Sequence, residues 1–133
     1  MFLNRLSIEQ KELFLDLCIH ASKSNNDFSA EEKETINQYC EEMHINIRYD
    51  EEHDLNEIAD KLAEISSEQD LRMILLETAG LLLSDNKYDD EEKKFFDTLA
   101  EKLGLDKAQT DDVIGMLREL TDVYTRINGF VFG

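Results

Sequence analysis

At 133 residues, with 41% apolar residues, no proline and 5 glycines, the chain is sized for one domain around one core and carries few breakers of regular structure. Lysine and arginine total 14 against 31 aspartates and glutamates, a formal charge of −17 that would repel a phosphate backbone and argues against a DNA or RNA partner. Such a surface favours cations and the basic faces of other proteins.

The opening Met1-Phe2-Leu3-Asn4-Arg5 is too short an apolar run for a signal peptide. The most apolar segment, Met73 to Leu83, is interrupted by Glu77 and falls well short of a membrane span. The chain therefore reads as cytoplasmic, without direct membrane insertion. Cys18 and Cys40 lack metal-type spacing and read as small buried hydrophobes.

Ser7-Ile8-Glu9-Gln10 is a capping-box pattern, and the first helix should run to about Ser22. Leu13, Phe14, Leu17, Cys18 and Ala21 form its apolar stripe, which leaves Glu9, Glu12, Asp16, His20 and Lys23 for solvent, with His20 beside Asp16 at i, i−4. A second capping box, Ser29 to Glu32, starts a helix ending near Met43, with Ile36, Tyr39, Cys40 and Met43 inward. Residues 44–54 keep no period and set Asp50, Glu51, Glu52 and Asp54 around His53, which predicts an exposed acidic connector in preference to a zinc site.

Asp54 to Glu57 restarts a helix with Leu55, Ile58, Leu62 and Ile65 on one face, and Ser66 or Ser67 caps the next, about Glu68 to Leu83. That helix is apolar nearly all round its second half and belongs at the centre of the core. Glu77 stands among apolar neighbours, so it should be half-buried, reaching a rim or a lysine, with a functional carboxylate as the alternative. Asp89 to Glu92 caps a helix with Phe95, Phe96, Leu99, Ala100 and Leu103 inward, and Gly104 suits its C-terminal cap. Asp106 to Gln109 starts a long last helix carrying Val113, Ile114, Leu117, Leu120 and Tyr124. Asn128-Gly129 should end it, and the apolar tail 129–133 should pack back on the domain; left exposed, Phe130 and Phe132 would serve an interface.

The chain also repeats itself. Ser24 to Lys33, SNNDFSAEEK, matches Ser84 to Lys93, SDNKYDDEEK, at an offset of sixty: Ser24/Ser84, Asn26/Asn86, Glu31/Glu91, Glu32/Glu92 and Lys33/Lys93 are identical. The wider repeats span about 13–45 and 73–105, each a helical hairpin. Asn26 and Asn86 suit a left-handed residue where a helix stops, and Phe28 and Tyr88 precede the next N-cap. Capping chemistry and favourable helix dipoles explain much of this pattern. The same oxygens are also what a hard cation requires: Asp85, Asn86, Asp89, Asp90, Glu91 and Glu92 lie within a few residues, although the loop lacks the EF-hand glycine and terminal glutamate.

These turns resemble the hallmark of the tellurite-resistance TerB family and TerB-like domains, a twofold A-D-G-x-I-S-x-E-E between helices, and the likeness covers about Leu13 to Met116. The resemblance implies an all-α single domain of about seven helices made of two duplicated hairpins, with no catalytic activity, and a role linked to metal stress or membrane-associated assemblies. Carried over, it implies metal ligands at Asp85 and Glu92, and more weakly at Asn25 and Glu32. Asn replaces the family's glycine in both turns, and Asn25 stands where the first turn should have aspartate. Together with Asp89, an N-cap carboxylate from the residue reading, these make the candidate metal set.

The expected function is a non-catalytic cytoplasmic module that binds a protein partner with a basic face. No cofactor is required, and a divalent cation (calcium, magnesium or zinc) at the acidic turns would act as regulator. The alternative is a dedicated divalent-cation sensor, and a homo-oligomer stays open. No Ser-His-Asp set, phosphate-binding glycine loop or H-E-x-x-H helix points to an enzyme.

Overall fold

A computed structural model of the chain describes residues 1–24, 28–84 and 88–133, and these are all-helical. Among the described residues six α-helices follow a 3₁₀ turn at Leu3–Arg5: α1 (Ile8–Lys23), α2 (Ala30–Met43), α3 (Leu55–Ile65), α4 (Glu68–Leu82), α5 (Asp90–Lys102) and α6 (Lys107–Phe132). The TerB resemblance implies about seven; among the described residues the seventh helical segment is only that 3₁₀ turn. No helix is long and apolar enough to cross a membrane among the described residues.

Every α-helix starts where a side chain can accept an orphan amide. Ser7, Ser29, Asp54, Ser67, Asp89 and Asp106 each accept from the N–H three residues on, and all but Asp54 complete a reciprocal capping box. Ser67 is thus the cap of α4, while neighbouring Ser66 accepts from Gln10 Nε2 at 2.9 Å and ties the starts of α1 and α4 together. At the other ends, Gly104 turns left-handed at φ 78 and passes its N–H to Glu101, as the sequence predicts. His44 does the same for α2 at φ 58, a conformation that L side chains adopt reluctantly.

The core is held by two helices. α4 packs on α1, α2, α5 and α6, and α1 packs on α2, α3, α4 and α5. The expected amphipathic stripe of α1 is therefore a correction: Leu15, Asp16 and Ile19 are buried alongside Leu13, Phe14, Leu17, Cys18 and Ala21. A helix enclosed by four neighbours has no solvent face along its middle. Cys18 and Cys40 are free and buried, as expected.

The last helix departs from expectation. It passes through Asn128-Gly129 without stopping, since Gly129 keeps a negative φ and still accepts the N–H of Gly133 at 3.0 Å. The segment 129–133 is thus not a tail folded onto the domain: Phe130 is 91% exposed and Phe132 84%. Only the first half of α6 lies against α4 and α5, and its second half extends beyond them.

Candidate functional site

The two repeated turns connect α1 to α2 and α4 to α5, the hairpins that enclose the core. Ser24 Oγ donates to Ala21 O and Ser84 Oγ to Leu81 O, both at 2.7 Å, so the two helices end with the same hydroxyl-to-carbonyl bond. After each turn an aromatic residue leans on the core, Phe28 in the first and Tyr88 in the second. Phe28 meets the edge of Tyr49 at 5.9 Å and carries Lys33 Nζ 5.4 Å above its ring. Tyr88 lies under the Arg118 guanidinium at 5.8 Å, and burial, followed by the nearby Asp97, pushes its phenol up to about 12.

The caps use three of the candidate ligands. Glu32 is 1% exposed, and its Oε1 accepts both the N–H and the hydroxyl of Ser29 at 3.1 Å. Glu92 is fully buried, with Oε1 3.4 Å from the Asp89 N–H, while Asp89 Oδ1 accepts the Glu92 N–H at 2.8 Å. The other two candidates, Asn25 and Asp85, lie outside the described residues, as do Asn26 and Asn86. Among the described residues no three His, Cys, Asp or Glu side chains converge on a metal-holding position.

Beside the first turn, a cleft of about 680 Å³ is lined by His20, Lys23, Ser24, Leu55, Glu91 and Lys94. It lies between the end of α1 and the start of α5, and its Lys23 Nζ is bonded to Glu51 at 2.8 Å.

The strongest polar cluster was not legible in the sequence. Asp16, assigned to the solvent face of α1, is buried and holds the connector 44–54. It accepts from Arg48 Nη1, from the Glu52 N–H at 3.0 Å and from His53 Nδ1 at 2.7 Å. Burial acts to raise its carboxyl pKa, but the His53, Glu52 and Arg48 bonds outweigh that and hold it below the ordinary aspartate value. His20 does not pair with Asp16; its Nε2 donates to His53 O at 2.8 Å. The connector is exposed along most of its length, as expected, but it is tethered to α1 through Arg48, Glu52 and His53, and His53 is committed to a carboxylate. The available signal was Arg48, the single arginine in the acidic connector.

Glu77 is also a correction: it meets neither a rim nor a lysine. Its Oε1 accepts the Phe2 N–H at 3.1 Å and lies 3.0 Å from the Met1 ammonium, while Glu42 accepts the Leu3 N–H at 2.9 Å. Acids from α2 and α4 therefore clamp the first residues and seat the 3₁₀ turn on the core. Comparison with protein-family models, curated proteins and solved structures finds no match for this chain.

Proposed function

We propose that the chain is a TerB-like module, descended from a duplicated hairpin, that acts by binding a protein partner with a basic face, with a divalent cation at the second turn as regulator. The observation that carries this reading is the like construction of the two turns. Each begins with a serine bonded back to its helix and ends in a buried capping glutamate, Glu32 or Glu92. The buried glutamates fix the two turns as matched caps, and it is the exposed acidic surface of a chain of charge −17 that suits recognition of positive charge.

The test is thermal unfolding of chelator-treated protein titrated with calcium, magnesium or zinc at fixed ionic strength, beside Asp85→Asn. Fixed salt is necessary because any cation screens so large a charge. One metal should raise the midpoint at micromolar concentration, and the variant should lose the response. Equal, weak effects from all three cations in both proteins would remove the cation from the reading. Stoichiometric metal retained through gel filtration would instead make cation binding the function itself.

A further inference from the structure

The apolar pattern of α6 starts at residues half-buried against the core, Val113, Ile114 and Leu117, and continues past them into the projecting half, where neither the core nor the acidic turns account for it. Val113, Leu117, Leu120, Tyr124, Ile127 and Val131 alternate at four and three residues, the a and d spacing of a helix-pairing seam. Met116, Val123 and Phe130 flank them on one side at sevens, and Ile114, Thr121 and Asn128 on the other. From Val113 onward the charged residues are Arg118, Glu119, Asp122 and Arg126, all at outer positions of that heptad, and they balance to zero. A protein of charge −17 thus keeps an uncharged face along its most exposed helix. Tyr124 is 58% exposed, Ile127 51% and Phe130 91%.

An acceptor for this face lies on the same molecule. An apolar groove of about 310 Å³ runs between α4 and the first half of α6, lined by Leu75, Leu76, Leu105, Val113 and Met116. Phe130 cannot reach it within its own chain, because fourteen residues of straight helix put it about 21 Å along the axis from Met116. An antiparallel copy can. The order of spacings in the seam reads the same from either end, so a two-fold axis near Asp122 sets Leu120 opposite Tyr124, Leu117 opposite Ile127 and Val113 opposite Val131. Phe130 of each copy then meets Met116 at the mouth of the other's groove. Such a contact is isologous and closes on itself, with the same patch used twice.

We propose that two copies of this chain pair through antiparallel α6 helices, each placing its Phe130 end in the groove between α4 and α6 of the other. A membrane surface is the less suitable occupant. An interfacial helix carries lysine and arginine on its polar face, whereas this one is charge-balanced and attached to a strongly acidic body that anionic lipid repels. This pairing uses a different surface from the acidic turns and stands whether or not they bind a cation.

The experiment is sedimentation velocity on the full chain up to about 0.5 mM, a range that covers micromolar and weaker pairing. Phe130→Glu, Met116→Glu, Val123→Cys and the outer-face control Glu119→Gln are run beside it. A dimer is expected, tightening as salt screens the repulsion between two acidic bodies. Phe130→Glu and Met116→Glu should each weaken it about thirtyfold, the loss expected of a buried anchor, and Glu119→Gln should leave it unchanged. Val123 of each copy faces its counterpart across the two-fold axis, so Val123→Cys should form an inter-chain disulfide under mild oxidation while the buried Cys18 and Cys40 do not. The substituted side chains lie on the exposed half of α6 or at the groove mouth, and unchanged helical content in circular dichroism checks that each variant is folded. A monomer at every concentration would overturn the proposal. So would a dimer indifferent to Phe130→Glu, a Val123→Cys variant that fails to cross-link, or association only with phosphatidylcholine and phosphatidylglycerol vesicles.

Discussion

Replacing Asp16 with alanine should be among the most damaging polar changes in this chain. The carboxylate is shared by Arg48 Nη1, the Glu52 N–H and His53 Nδ1, and its side chain is 1% exposed against 21% for Arg48 and 29% for His53. Hydrogen bonds to a charged group contribute about 1.5–3 kcal/mol each, but three bonds to one carboxylate do not add. Removing one side of a buried pair costs about 3–5 kcal/mol. Arg48 and His53 can partly turn to water, which favours the low end, so we expect a loss of about 3 kcal/mol. At a urea dependence of about 2 kcal/mol per molar, the unfolding midpoint should fall by about 1.5 M. The pH dependence follows from the direction of the shift. A carboxyl lowered in the folded state stabilises above its unfolded pKa, and that contribution disappears as pH falls through the folded value. The gap between wild type and Asp16→Ala should therefore be constant above about pH 5 and close below about pH 4. A midpoint shift under about 0.4 M would refute the reasoning, as would additivity of Asp16→Ala with Arg48→Ala in a double-mutant cycle.

Three further outcomes are expected. His44→Gly should stabilise by up to about 1 kcal/mol in urea unfolding, because His44 is exposed and holds φ 58 without a side-chain contribution to the α2 cap. Gly80→Ala would place a Cβ 3.1 Å from the Tyr39 hydroxyl, which donates to Glu77 O at 2.8 Å, so its helix-propensity gain of about 1 kcal/mol should appear only in a Tyr39→Phe background. Equal gains in both backgrounds would show that the hydroxyl is not confined. Cys18 and Cys40 should react with a thiol reagent only at the rate of global opening, since both are buried and burial raises both thiols; rapid labelling of either in native buffer would contradict the packing.

Much of the fold could be read from the chain because helix starts are local. Ser7, Ser29, Asp54 and Asp106 announce α1, α2, α3 and α6 through side chains that reach amides three residues away, and no distant partner is needed for that. Gly104 was legible for the same reason. The end of α6 was not. Asn128-Gly129 is a local stop signal, yet a helix stops at glycine only where the backbone turns left-handed, and Gly129 does not. The candidate turns were legible as matched strings, and the caps at Glu32 and Glu92 follow from that spacing.

By itself, then, the sequence determined what depends on near neighbours or on composition: helical class, the N-caps, the matched strings at the two turns, and a formal charge of −17. Tertiary structure decided what depends on enclosure. Asp16 and His20 share the polar face of α1 in any helical projection, and only the return of Arg48 and His53 over that face makes one a buried anchor and the other a donor to the connector. Glu77 is likewise an acid in an apolar helix until the first residues cross it, with the Phe2 N–H against its carboxylate. The apolar residues of α6 divide in the same way: periodicity marks them all alike, and the reach of α4 and α5 along the helix decides which are core and which are left exposed. The physical reason is that periodicity assigns a residue to a face of its helix, whereas the dielectric and the partners at that face are set by segments far away in the chain.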